Sequence, residues 1–266
     1  MKYAVPSQTT RCNVSDKNIV LSGIRATGRL HLGNYIGAVR KFVKLANDSD
    51  NACFYFIANL HTLTTFTDPK ALRNNVQEVV LDYLAAGLDP ERCTIFAQSS
   101  VPETCELNTL LTNIAPMGDL LRMPHFKEKT TVSVDEKHGE PQIVFGEGTN
   151  AGLFQYPVLM AADILGVLAT HVPVGEDQEV HVEFARELAR RFNSRYGNLF
   201  PEPHAMSESI RVPNLRGGGK MSKTGTDDGS IALTDSDKEI ARKVRLAVTD
   251  PNRKRRNDPG DPNICN

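Results

Sequence analysis

Two short stretches of this chain carry residue types suited to handling a polyphosphate. His31-Leu32-Gly33-Asn34 follows the strand-like run Val20-Leu21-Ser22-Gly23 and opens an amphipathic segment from Gly33 to Ala46. Where a strand gives way to a helix, the first backbone N–H groups lack intrahelical partners, so they are expected to face an anion together with the side chains of His31 and Asn34. Lys220-Met221-Ser222-Lys223-Thr224 is approached through Gly217-Gly218-Gly219. Glycines make such an arm bendable, and its lysines can be brought onto a phosphate chain whose charge grows as it departs. Imidazole, amide, ammonium and backbone N–H groups stabilise a crowded polyanion without a covalent enzyme intermediate.

A third group lies between them. Tyr156, Met160 and Asp163 fall at i, i+4 and i+7, so one helix face offers an aromatic ring, a thioether and a carboxylate to a single pocket. Asp163 is flanked by Ala161, Ala162, Ile164 and Leu165, an apolar stretch in which an acid stands out.

Strand-like and helix-like segments alternate along the chain, which predicts an α/β fold: a Rossmann-like, doubly wound parallel sheet followed by the start of a smaller helical domain. Ala52 to Ile57 reads as a covered central strand, with His61 just beyond it. Asp68-Pro69 predicts an N-cap with proline at the first helical position, and Leu72, Val76, Val79, Val80, Tyr83 and Leu84 form the apolar face of a helix ending at Gly87. Thr94 to Ala97 reads as a strand, and Pro102 to Phe126 as two helices broken near Pro116-Met117-Gly118. Thr130 to Gly148 is polar and predicts an exposed loop or small hairpin over the site. Leu153 to Leu165 is helical, His171 to Val174 a short strand, and Asp177 is expected to cap a helix whose core face is Val180, Phe184, Leu188 and Phe192. Pro201, Pro203, Pro213 and the triple glycine read as a linker, and Asp237 to Val248 as a further helix. The resulting division is an N-terminal extension over 1–18, a catalytic domain over 19–200, and over 201–266 the lysine loop with the beginning of the helical domain.

The 266 residues are 40% hydrophobic and 24% charged, the balance of an ordinary globular enzyme and not of a disordered chain. With 31 Lys+Arg against 32 Asp+Glu, a nucleic acid would have to be met by a local patch and not by a global field. No apolar run of about 18 residues appears, and Met1 to Ser15 is polar, so neither a membrane span nor a secretory signal is expected and the cytoplasm is the default location. Cys12, Cys53, Cys93, Cys105 and Cys265 are irregularly spaced, which argues against a disulfide framework and against a structural metal.

Thr27-Gly28-Arg29-Leu30-His31-Leu32-Gly33-Asn34 resembles the first signature of class I aminoacyl-tRNA synthetases, and Lys220 to Thr224 resembles the second, in the same order. Between them, Tyr156-Pro157-Val158-Leu159-Met160-Ala161-Ala162-Asp163 and Gly175-Glu176-Asp177-Gln178 resemble the bacterial tryptophanyl-tRNA synthetases, a likeness running from about Val20 to Asp250. The resemblance implies activation of L-tryptophan by ATP with substrate-bound Mg2+, transfer to tRNA(Trp), and a homodimer with no membrane partner. His31, Asn34, Lys220 and Lys223 would be the catalytic residues. ATP would be met by Arg25, Ala26, Thr27, Gly33 and Asn34 on the first signature, by Lys129, and by Gly175, Glu176 and Asp177. Val212 would border the adenine, with Lys220, Met221, Ser222, Lys223 and Thr224 on the mobile arm. Tryptophan would be bound by His61, Tyr156, Met160, Asp163 and Gln178. An indole N–H only donates, so a buried Asp163 accepting from it would reject phenylalanine. The tyrosyl enzymes usually carry a glutamine where Met160 stands, and an apolar residue there favours indole over phenol.

Several positions depart from the family pattern. Arg25 stands where many relatives have glutamine, Asn59-Leu60 precede His61 where an acid is common, and Thr224 replaces a serine. Relatives also continue with further helices that read the anticodon, so the chain resembles a C-terminally truncated member.

Other readings compete. Gly146-Glu147-Gly148-Thr149-Asn150-Ala151 after Gln142 to Phe145 imitates a dinucleotide fingerprint, though without a following βαβ unit. A P-loop is excluded because Met221 follows Gly219-Lys220. A tyrosyl-type synthetase, or a fragment that binds nucleotide without charging tRNA, are the remaining alternatives. Arg253-Lys254-Arg255-Arg256 reads either as a contact to tRNA phosphates or as a solvated charge run.

Overall fold

The computed structural model describes residues 17–65, 68–134, 141–146, 149–207, 210, 212–217, 219–221, 227–255, 257–261 and 264. Its first strand, β1 (Asn18–Ile24), ends at the loop carrying His31, after which α1 (Leu32–Asn34) runs through a π-helical turn into α2 (Arg40–Ala46). β2 (Asn51–Ile57), α3 (Asn59–Thr62), α4 (Pro69–Ala85) and β3 (Cys93–Ala97) complete the first half. The second half holds α5 (Glu103–Thr112), α6 (Met117–Arg122) and α7 (Pro124–Lys129), a hairpin of β4 (Thr130–Val134) and β5 (Pro141–Phe145), then α8 (Ala151–Gly166), β6 (His171–Val174), α9 (Glu179–Tyr196), β7 (His204–Ser207) and α10 (Asp237–Arg245).

β1, β2, β3, β6 and β7 form one parallel sheet in the order β3-β2-β1-β6-β7. Alternation along each strand sends side chains to opposite faces. Leu21 and Phe56 join Val158, Ile164, Val182 and Leu188 of α8 and α9 on one side, while Val20, Tyr55 and Ile57 pack with Phe42, Val79 and Tyr83 of α2 and α4 on the other. The sheet is therefore wound on both faces, as the alternation of elements predicts. Chain order reverses direction between β1 and β6, so a crevice opens beyond their carboxyl ends, the usual ligand position in such sheets.

Local chemistry sets the helix starts. Asp68 Oδ1 accepts from the Lys70 and Ala71 N–H groups, with Pro69 at the first helical position. Asn150 Oδ1 accepts from Leu153 N–H at the head of α8.

The structure corrects several expectations. Leu84 is 41% exposed, whereas Asp82 on the same helix is 5% exposed. The inward face of α9 runs through His181, Phe184, Ala185 and Leu188, and Val180 is exposed, because Glu176–Gln178 form a separate 3-10 turn that shifts the helix start. Asp177 lies in that turn and does not cap α9, whose N-cap is Gln178 with no side-chain bond. The stretch from Pro102 to Phe126 holds α5, α6 and the start of α7, not two helices. The region read as a linker after Pro201 contains β7, which pairs with β6 through His171 and His204, so the sheet continues past residue 200. β5 pairs antiparallel with β4 and belongs to no βαβ unit, which removes the dinucleotide reading of 146–151.

Among the described residues no helix is long and apolar enough to cross a membrane.

Candidate active site

A cavity of about 510 Å³ occupies the crevice where chain order reverses. β1 contributes Leu21, Ser22 and Gly23, with Arg25 just beyond its end, and β6 contributes Val172 to Val174, followed by Gly175. Tyr156, Met160 and Asp163 of α8 face it together, joined by His61 of α3 and by Gln178. The i, i+4, i+7 spacing thus does place ring, thioether and carboxylate in one hollow.

Asp163 is 7% exposed. His61 Nε2 lies 2.8 Å from Asp163 Oδ2, and Gln98 Nε2 lies 2.9 Å from each carboxylate oxygen. The carboxylate can only accept, so the His61 proton sits on Nε2. Gln98 is itself oriented: its Oε1 accepts from Leu60 N–H at 3.0 Å and His61 N–H at 3.2 Å, which leaves its amide NH₂ directed at Asp163. A charge buried in this way is held by paired donors, and an ionised carboxylate has lone pairs for more than these. Sequence reasoning missed Gln98. Its signal was position, a polar residue at the carboxyl end of β3 beside the reversal of chain order.

Tyr156 hydrogen-bonds through its hydroxyl to His181 Nε2. Burial pushes the His181 imidazole down to about 4, with repulsion from His125 adding to it, so the ring is neutral and accepts the phenol proton. The buried His181 Nδ1 has no hydrogen-bond partner among the described residues. Burial, with the nearby Glu128 charge second, raises the Tyr156 phenol well above its ordinary value, so it stays protonated. His125 borders the same cavity, its ring 6.3 Å from that of His181.

The loop leading to His31 is held from several sides. Thr62 Oγ1 accepts from Ala26 N–H at 3.0 Å, and Asn75 Nδ2 donates to the Ala26 carbonyl at 3.1 Å. Thr27 N–H closes a turn onto the Arg25 carbonyl, and Arg25 itself donates to Thr65 Oγ1 at 2.6 Å. Asp82 Oδ2 accepts from Leu30 N–H at 3.0 Å. An acid between Val79 and Tyr83 on an apolar helix face was the available sign of that role.

His31 is 5% exposed and makes a reciprocal pair with Asn34: Asn34 N–H donates to His31 Nδ1, and His31 N–H donates to Asn34 Oδ1, both at 3.2 Å. Leu32 N–H donates to the Ile231 carbonyl and Tyr35 N–H to that of His31. These backbone donors are therefore engaged within the protein, against the expectation that they point at an anion. Neither His31 nor Asn34 lines the cavity. A Cβ added at Gly33 would lie 3.0 Å from the His31 ring and 3.4 Å from Met221 Cβ, so glycine here lets the two signature segments approach.

Met221 is buried at 2% exposure, and its N–H donates to the Val212 carbonyl at 2.8 Å. Lys220 pairs with Pro213 in a short bridge and is exposed. Its charge reaches the 175–178 turn: burial opposes ionisation of Asp177, but the Gln178 amide bond and the Lys220 ammonium together hold its carboxyl below the ordinary value. Glu176 and Asp177 are exposed beside Gly175, where a Cβ would lie 2.7 Å from Asp177 Oδ1. Ser222, Lys223 and Thr224 lie outside the described residues, as does the Lys129 side chain at the end of α7. Among the described residues no group of at least three His, Cys, Asp or Glu side chains converges as a metal cage.

A parallel sheet with its ligand crevice at the chain reversal, and a histidine loop packed on the stem of a lysine loop, define a nucleotide-dependent synthetase architecture. The profile of the family described as tRNA synthetases class I (W and Y) matches residues 13–266, and the chain belongs to that family. It is 46% identical over 235 residues to a tryptophan--tRNA ligase of Porphyromonas gingivalis, covering 87% of this chain and 67% of the relative. The corresponding ligase of Thermotoga maritima is 43% identical, with 92% and 71% covered. A crystal structure of tryptophanyl-tRNA synthetase from Campylobacter jejuni complexed with ADP and tryptophan superposes with a TM-score of 0.77 at 35% identity, covering 93% of this chain and 72% of that one.

Proposed function

We propose that the chain activates L-tryptophan with ATP to tryptophanyl-adenylate and passes the aminoacyl group to the 3′ end of tRNA(Trp). The observation that carries this reading is the buried Asp163 carboxylate, fixed by Gln98 and His61 on the wall of a largely apolar cavity. An indole offers one N–H and no acceptor, and it fills an apolar hollow while donating to that carboxylate. A phenylalanine ring would leave the lone pairs that Gln98 and His61 do not use without a donor inside the cavity, which costs about 1–3 kcal/mol. Tryptophan and ADP in the Campylobacter jejuni relative support the same pair of ligands here.

In this reading Met160 and Tyr156 flank the indole, Gln178 holds the charged end of the amino acid, and Arg25 meets the ATP. A carboxylate oxygen attacks the α-phosphorus of ATP as the bond to pyrophosphate breaks. Lys220 and Lys223 neutralise the charge that develops on the departing pyrophosphate, and His31 and Asn34 steady the phosphates beside the cavity. Ala26, Thr27 and Gly33 shape that loop, and Lys129, Gly175, Glu176, Asp177, Val212, Met221, Ser222 and Thr224 complete the nucleotide contacts. Mg2+ carried by the triphosphate would supply charge neutralisation at its oxygens, beside that of the lysines.

We further infer a homodimer, supported by large apolar side chains exposed on the successive helices α5 and α6 at Leu110, Met117 and Leu121. We place the opening of a smaller helical unit at α10. The deciding experiment is tryptophan-dependent exchange of pyrophosphate into ATP. Exchange with tryptophan and little with tyrosine or phenylalanine is the expected result. Preference for tyrosine, or nucleotide binding without exchange, would replace the proposal with one of those two alternatives.

A further inference from the structure

Lys243 is 1% exposed, and its ammonium sits 2.8 Å from Asp235 Oδ2, whose side chain is 9% exposed. Burying an ion pair is a poor way to gain stability, since apolar residues of similar volume commonly serve as well, and the best-attested use of such pairs is to fix a register. The register fixed here belongs to the nucleotide loop. Asp235 Oδ2 also accepts from Ala232 N–H at 2.9 Å, and Asp235 N–H donates to the Ala232 carbonyl, which closes a turn. The segment entering that turn pairs with the first signature: Leu32 N–H donates to the Ile231 carbonyl at 2.8 Å, Leu233 N–H to the Leu30 carbonyl at 2.9 Å, and His31 faces Ala232 across an isolated bridge.

The neighbouring residue of α10 acts on the other end of the same stretch. Arg242 Nη1 lies 2.7 Å from Asp228 Oδ1, in the helical turn Asp227–Gly229 that follows the lysine arm. Leu215 N–H donates to the Gly229 carbonyl, and Val248 N–H to that of Leu215. Adjacent cations of one helix thus fasten both ends of the stretch 228–235, between the arm and His31.

We propose that Lys243 and Asp235 are positioning residues for the nucleotide step, setting His31 in register with the stem of the lysine loop at Lys220-Met221. The proposal rests on the adenylation reading above. Neither residue lines the tryptophan cavity, so the amino-acid site should not register their loss.

The test compares the wild-type chain with Lys243→Met, Asp235→Asn and the double variant Lys243→Met/Asp235→Leu. It reads exchange kinetics, ATP affinity by calorimetry, tryptophan affinity by ligand fluorescence, and thermal stability. In the single variants ATP KM should rise, or exchange kcat fall, by about tenfold, with tryptophan affinity changed by less than about twofold. The apolar double variant should regain stability yet keep the ATP defect, an outcome that a merely structural pair would not give. Asp235→Asn retains an acceptor for Ala232 N–H and serves if Lys243→Met does not fold. Wild-type ATP parameters in the folded single variants, a parallel loss of tryptophan binding, or full recovery of exchange in the double variant would each overturn the proposal. Absence of exchange in the wild type counts against the adenylation reading alone, because ATP affinity still reports on the register.

Discussion

Asp163 and Gln98 lie on different elements, one on α8 and the other just after β3, yet the Gln98 amide nitrogen stands 2.9 Å from both oxygens of the Asp163 carboxylate. The amide holds the acid flat against the cavity wall while the backbone of α3 holds the amide. The acid is therefore a fixed feature of the cavity, not a side chain that swings to meet its ligand.

Replacing Asp163 with asparagine removes the charge but keeps the shape. Tryptophan affinity should fall by about tenfold or more, with ATP affinity nearly unchanged, since a hydrogen bond to a charged group contributes about 1.5–3 kcal/mol. The chain contains no tryptophan, so free tryptophan can be titrated by its own fluorescence. Unaltered affinity would place indole recognition elsewhere.

Gln98→Leu should cost both binding and stability. The substitution strips one donor from Asp163, which keeps His61, and the acceptor from the part-buried Leu60 and His61 N–H groups, each loss costing up to about 1–3 kcal/mol. Chemical denaturation should show the loss, and tryptophan affinity should drop with it.

His181 gives a pH signature. Its folded value, about 4, is below the ordinary 6.5, so between these limits the unfolded chain binds the proton and the folded chain does not. Stability from this group is thus complete above pH 6.5 and declines as pH falls to 4, by about 3 kcal/mol in all. His181→Gln should flatten that part of the stability profile, which urea titrations across the range would read.

Asp82→Ala leaves the buried Leu30 N–H without its acceptor at the root of the His31 loop. A stability loss of about 1–3 kcal/mol is expected, with a raised KM for ATP and little change in tryptophan affinity. Equal effects on both ligands would mean that the loop and the amino-acid cavity are not separable.

Lys220→Ala and Lys223→Ala should slow exchange far more than they weaken tryptophan binding, because a charge that acts on departing pyrophosphate matters chiefly in the transition state. Single-turnover adenylation measured beside a tryptophan titration separates the effects. Parallel losses would argue against that role for the lysines.

Much of this protein is written in local pattern. The 3.6-residue spacing of Tyr156, Met160 and Asp163 suffices to put them on one helix face, and Asp68-Pro69 suffices to start α4, because both depend on neighbours along the chain. The apolar run at β2 likewise announces a covered central strand. Tertiary structure decided what depends on distant partners. It chose Gln98 and His61 for the acid on α8, set β7 into a stretch whose prolines suggest only a linker, and turned the backbone donors near His31 inward to Ile231 and to His31 itself. Sequence spacing fixes which side chains share a face. Which of them meet across a cavity is set by packing between elements far apart in the chain, and no local pattern encodes that.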